Sequence, residues 1–303
     1  MSTEVTFKSA GLRCAADLYL PDDYKPGQQR PGLVLGHGFT LVKGALEPHA
    51  SFFQKAGFVV LAIDYRTFGK SEGEPRAQLF PLNEVEDFRN ALSYLQNREE
   101  VDPQRVGIWG ASFAGALVSY VAAVDLRVKA TCAMVPVTDG YLWLKLLRDR
   151  GSWEKLLAAV AADRERRYRG EPAGRLPVGG RVDEICALPS SDRDIDVFFQ
   201  ALKDNFPTWC DTITLESIER IAEFSPLNMV ERITPRPYLI ISTGGYDAVH
   251  PADTVAELFH RAREPKRLVF LPFAQTELYV EPGLAAANRV ATDFFIEHLG
   301  APR

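Results

Sequence analysis

Over the first 137 residues, short apolar runs alternate with stretches whose apolar positions recur every three or four residues. Residues 4–8 and 14–20 read as strands joined by a turn at Ala10 and Gly11. The runs 32–36 (GLVLG) and 58–64 (FVVLAID) are apolar at nearly every position, as in strands buried on both faces. Between them, 45–55 predicts a helix that stops at Gly57. Residues 83–96 carry Val85, Phe88, Ala91, Leu92 and Leu95, the spacing of an amphipathic helix. A strand at 105–109, an apolar helix at 113–123 and a strand at 127–136 follow. Alternation of this kind predicts an α/β fold with a mostly parallel, twisted sheet covered by helices on both faces.

The rhythm breaks after Val137. Residues 138–232 hold three of the four tryptophans (Trp143, Trp153, Trp209), an arginine-rich helix around 164–169 and the stretch GEPAGRLPVGG, with no clear strand. The pattern resumes with a strand at 238–242, a helix at 252–262, a strand at 267–271 and a final helix at 284–299. A structureless loop of such length is improbable inside a domain. The economical division is a core of 1–137 and 233–303, interrupted by a helical insertion at 138–232.

Charge narrows the function classes. With 35 Lys and Arg against 40 Asp and Glu, the net charge of −5 disfavours sequence-independent nucleic-acid binding, which needs a basic surface. The 46% hydrophobic content argues against disorder. No run of 18 apolar residues and no N-terminal apolar leader is visible, so neither a membrane span nor a signal peptide is expected. Cys14, Cys132, Cys186 and Cys210 are scattered without a CxxC, which fits reduced thiols in a cytoplasmic protein.

The chemistry is concentrated at 105–116, RVGIWGASFAGA. A strand runs into Gly110-Ala111-Ser112-Phe113-Ala114 and a helix follows at once, the context required of a G-x-S-x-G nucleophile elbow, with Ala114 in place of the last glycine. Small residues are needed at 110 and 114 because strand and helix backbones approach closely there. The bend would project the Ser112 hydroxyl at a helix N-terminus, where developing negative charge is favoured. A second strand ends in Gly36-His37-Gly38-Phe39, where a partner oxyanion donor belongs. The Phe39 and Phe113 amides are the expected pair, with His37 orienting the loop. Asp247 lies just past the strand at 238–242, in the order expected of the triad acid, although a turn or cap role is also open.

With these motifs the chain resembles the α/β-hydrolase superfamily over most of its length. The run from Asp64 to Arg76 (DYRTFGKSEGEPR), the HGF at 37–39 followed by Lys43, and DPQRVGIWGAS at 102–112 resemble one subset. It groups acetyl xylan esterases, dienelactone hydrolases and S15-peptidase-like hydrolases with related polyketide-processing proteins. The resemblance implies a helical lid inserted after the sixth strand, over 138–232, and a catalytic histidine in the loop after the last strand. That loop reads LPFAQTELY, and Glu277-Leu278-Tyr279 sets a register that puts Gln275 in the histidine position. A glutamine amide takes no proton at neutral pH.

Of the five histidines, only His250 stands near the expected site, three residues past Asp247 at the mouth of the same loop; it is the alternative base. Glu277 is a weaker one, since an ordinary carboxylate is a poor base towards a hydroxyl. His49 has no assigned role, and His260 and His298 fall on helices. The expected function is a serine-hydrolase-like enzyme acting on an ester, thioester or lactone through Ser112, Asp247 and Gln275. Its substrate would be a small acyl compound, apolar or aromatic in view of the tryptophan-rich lid. Two other readings stay open: a non-hydrolytic catalyst of cyclisation, isomerisation or C–C bond chemistry, and a ligand-binding protein with a decayed triad. No cofactor is expected, as there is no GxGxxG, P-loop or metal-spaced His/Cys cluster, and Asp247 with His250 supplies only two metal ligands.

Overall fold

Strands that are apolar on both sides need cover on both sides, and the chain supplies it. The computed structural model describes residues 2–190 and 193–301; Ser191 and Asp192, within the expected insertion, lie outside the described residues. In chain order the first half comprises β1 (Ser2–Ser9), β2 (Leu12–Tyr19), β3 (Arg30–Gly36), α1 (Glu47–Lys55), β4 (Val59–Ile63), α2 (Pro81–Gln96), β5 (Val101–Ala111), α3 (Phe113–Val124) and β6 (Ala130–Met134). Residues 138–232 hold α4 (Gly140–Leu146), α5 (Arg150–Tyr168), β7 (Arg175–Pro177), β8 (Gly179–Arg181), β9 (Leu188–Ser190), α6 (Arg193–Asn205), β10 (Thr212–Thr214) and α7 (Leu215–Ala222). The chain closes with β11 (Tyr238–Thr243), α8 (Ala252–Arg261), β12 (Lys266–Leu271) and α9 (Gly283–Leu299).

Eight strands form one sheet in the order β1-β2-β4-β3-β5-β6-β11-β12. The β1–β2 hairpin turns through Ala10 and Gly11, both at positive φ, and β2 meets β4 antiparallel. Every other pairing is parallel. Side chains alternate across the sheet as a pleat requires. Val34, Leu61, Ile63 and Ile240 face α2, α3 and α8, whereas Leu33, Leu35, Val60 and Ile241 face α1 and α9. Burial on both faces is why these strands show no polar alternation in the sequence.

The insertion departs from expectation in one respect. It carries four strands, paired as antiparallel β7–β10 and parallel β8–β9. Each has three residues, too few for a period-2 signal to register. The arginine-rich helix is structural. Arg167 of α5 pairs with Asp163, Glu216 and Glu219 at 2.9, 3.2 and 2.6 Å, binding α5 to α7. Another difference is at 43–55, where a 3-10 turn precedes α1 and Pro48 occupies its first turn, a position that needs no N–H donor.

Strand and helix backbones approach closely at the β5–α3 junction. A Cβ on Gly110 would stand 2.5 Å from the Ala114 carbonyl oxygen and 2.8 Å from its Cβ, while one on Gly115 would stand 2.9 Å from Pro136 Cα. Gly110→Ala should therefore cost about 1–3 kcal/mol of stability, the usual range for overpacking. Urea denaturation measures it, and an unchanged midpoint would mean that the elbow tolerates the extra methyl.

Candidate active site

Parallel strands deliver their following loops to one edge of the sheet, and the candidate residues collect there. Ser112 joins β5 to α3 at φ 57°, ψ −119°, a left-handed conformation that costs a residue bearing a Cβ on the order of 1–3 kcal/mol. Its neighbours hold it there. The Ser112 amide donates to the Met134 carbonyl at 2.9 Å, and its own carbonyl accepts from Val137 at 3.2 Å.

Two strands away, past β6, β11 ends in the loop that carries Asp247. This carboxylate organises its own turn, with Oδ1 accepting the amides of Val249 (3.0 Å) and His250 (2.7 Å). Those bonds fold the His250 ring back over the acid, so that Nδ1 lies 3.1 Å from Asp247 Oδ2. The other nitrogen, Nε2, lies 2.9 Å from Ser112 Oγ. Both side chains are almost wholly buried. With an acceptor-only carboxylate on Nδ1, the ring carries its proton there and turns the Nε2 lone pair towards the hydroxyl.

Gln275 was expected at this place, and the structure sets it at the cavity beside Ser112. Its backbone amide donates to the Tyr246 carbonyl at 3.2 Å and its side chain borders the cavity beside Ser112. Among the described residues, however, the nitrogen against Ser112 Oγ comes from His250. Gln275 follows β12, whereas the i to i+3 turn at Asp247, after β11, brings an imidazole to Ser112 Oγ. Glu277 is exposed and accepts the Ala274 amide at 2.7 Å. His260 and His298 lie on α8 and α9, as expected.

Gly38 brings the β3 loop against the elbow, where a Cβ would lie 3.2 Å from the Ala111 carbonyl and 3.5 Å from Ser112 Cβ. Neither the Phe39 nor the Phe113 amide is engaged in a hydrogen bond among the described residues. His37 is buried beneath this loop, Nδ1 3.1 Å from the Gly38 carbonyl, with Tyr65 packed on its ring. The Asp64–Arg76 run braces the same loop from behind. Asp64 accepts the Lys43 amide at 2.6 Å and the Lys70 amide at 2.9 Å, Lys43 Nζ reaches Asp17 at 2.6 Å, and Arg66 pairs with the buried Asp87 at 2.6 Å. In the sequence this run stands out only by resemblance; its buried bracing carries no periodic signal.

A cavity of about 80 Å³ opens beside Ser112. Trp143 of α4 and Phe198 and Phe199 of α6 line it opposite Trp109 and Leu46. Of the three insertion tryptophans only Trp143 borders it; Trp153 packs on Tyr141 and Trp209 on Phe199.

Residues 10–276 match the family model described as X-Pro dipeptidyl-peptidase (S15 family). The chain belongs to the S15 peptidase family. Among curated proteins, the S15-family chain is 26% identical to a thiohydrolase from Aspergillus aculeatus over 279 residues, covering 88% of this chain and 84% of that one. It is 29% identical to a polyketide transferase from Stachybotrys chlorohalonatus over 256 residues, 81% of each. Among solved structures, the α/β hydrolase GrgF from Penicillium sp. sh18 superposes with a TM-score of 0.82 at 24% identity, over 99% of both chains. The fold is that of the α/β hydrolases. No helix among the described residues is long and apolar enough to cross a membrane.

Burial pushes the imidazoles of His37 and His49 down to about 4, since a low-dielectric site penalises the charged ring. The unfolded chain would bind those protons at about 6.5, so each ring withdraws stability as pH falls from about 6.5 towards 4, roughly 3 kcal/mol apiece. Asp64, pushed by burial up to about 6, acts with the opposite sign over much of the same range, so the rings are best read singly. In histidine-selective NMR at pH 5.5, the His37 and His49 signals should both be those of neutral imidazole. A titration of either near 6.5 would contradict their burial.

Proposed function

We propose that this S15-family chain is an acyl-processing enzyme of the hydrolase class, with Ser112 as nucleophile, His250 as general base and Asp247 as the acid that orients it. The observation that carries the reading is the His250 ring, hydrogen-bonded to the serine hydroxyl through one nitrogen and to the carboxylate through the other. A relocated base makes an incomplete triad unnecessary. It also weakens the decayed-scaffold alternative, because a binding protein has no need of a buried serine–imidazole–carboxylate chain.

In this reading, Nε2 of His250 takes the Ser112 proton as Oγ attacks the acyl carbon. Asp247 holds the imidazolium that forms. Negative charge on the carbonyl oxygen is received by the amides of Phe39 and Phe113, which have no competing partner among the described residues. His250 then protonates the departing alkoxide or thiolate, leaving an acyl group on Ser112 for water or another nucleophile to remove. The segment 138–232 serves as the lid, with Trp143, Phe198 and Phe199 covering an apolar acyl group. Such a lid limits water at the acyl-enzyme and favours transfer where a hydroxyl acceptor is bound. The relatives named thiohydrolase and polyketide transferase support a thioester or ester as the substrate class.

On N-acetylcysteamine thioesters, Ser112→Ala and His250→Ala should each reduce kcat by about 10⁴–10⁶-fold, whereas Gln275→Ala should act chiefly on KM. A fluorophosphonate should label Ser112 in the native chain and not in His250→Ala. Full turnover in Ser112→Ala would replace covalent catalysis by a non-hydrolytic reaction in the oxyanion hole. A larger loss of kcat in Gln275→Ala than in His250→Ala would return the base role to position 275.

A further inference from the structure

The acyl cavity is apolar except for a few groups, and one of these the triad does not use. His49, on α1, is 3% exposed, and its ring packs on Trp109 with centroids 4.4 Å apart. Both residues line the cavity that Ser112 borders. His49 Nδ1 lies 2.8 Å from Asn288 Oδ1 on α9, while Asn288 Nδ2 is buried without a partner. An acceptor oxygen opposite Nδ1 requires the proton there and leaves Nε2 as a bare lone pair. Among the described residues nothing donates to that nitrogen. Burial keeps the ring neutral, so it remains an acceptor rather than a cation.

We propose that His49, held by Asn288 and Trp109, is a specificity residue that receives a hydrogen bond from a hydroxyl carried by the acyl group at a distance from its carbonyl. This rests on the reading of the cavity as the acyl site. Its physical basis is that an unpaired acceptor in an apolar wall is costly to leave dry. A site built to bond a hydroxyl discriminates strongly against the analogue that lacks it. The favoured substrate class is then a hydroxylated, largely apolar or aromatic acyl thioester or ester, rather than a plain fatty acyl chain.

The test uses ω-phenylalkanoyl N-acetylcysteamine thioesters with two to six methylenes, each bearing a ring hydroxyl, a ring methoxy or hydrogen. At one chain length the hydroxyl compound should exceed both others by at least about tenfold in kcat/KM, mainly through KM, and His49→Phe should bring the ratio close to one. Equal kcat/KM across every set, or a preference that survives His49→Phe, would overturn the proposal.

The same compounds, remade as non-cleavable ketones and titrated calorimetrically against the Ser112→Ala protein, decide the role of His49 apart from the chemistry. Hydroxyl-selective binding without any thioester turnover would sink the triad reading and keep this one; turnover without selectivity would do the reverse. Should His49→Phe fail to fold, the wild type still answers. Its His49 Nε2 ¹⁵N resonance should move with the hydroxyl ketone and stay in place with the methoxy ketone, and no movement with either would refute the acceptor role.

Discussion

One imidazole joins two loops that the chain keeps far apart. His250 reaches Ser112 across 138 residues of sequence, and it does so because β5, β6 and β11 lie side by side and parallel. Parallel pairing sends the loops after β5 and β11 to the same edge, about two strand spacings apart, each spacing near 4.8 Å. A histidine side chain and a tight turn bridge that gap. The elbow at Ser112 depends on the same arrangement, because its left-handed backbone is held by the Met134 carbonyl at the end of β6. A sheet with this order, parallel at these strands, is therefore the condition for the site as much as for the core.

Around that bridge the buried carboxylates are paired with backbone amides. Asp247 receives two amides besides the ring, and Asp64 receives two amides from the loops it braces. Paired carboxylates of this kind hold loops rigidly in a low-dielectric setting. His37 and His49 are kept neutral by the same burial. Trp143, Phe198 and Phe199 give the cavity an apolar wall opposite Trp109 and Leu46.

The sheet was legible because strand after strand is apolar at successive positions, and the helices because Val85, Phe88, Leu92 and Leu95 recur at the helical period. The elbow was legible for a local reason: two small residues flank Ser112 where a strand passes directly into a helix. The three-residue strands of the insertion were not, since so short a segment has no period. Nor was the residue that meets the Ser112 hydroxyl. Register in the loop after β12 pointed to Gln275, whereas the side chain at the serine comes from the loop after β11, and His250 stood in the sequence only as an alternative. The signal that favours it is the spacing Asp247-Ala248-Val249-His250 ahead of Pro251, which lets a carboxylate cap its own turn and turn the ring back onto itself.

By itself, the sequence determined the alternation of strands and helices, the elbow and the neighbourhood of Asp247, because each depends on residues within a few positions of one another. Tertiary structure decided which nitrogen meets the serine and which aromatic rings and which histidine line the cavity beside it. Those are contacts between segments tens to hundreds of residues apart, and their geometry comes from strand order and helix packing, which local periodicity does not encode.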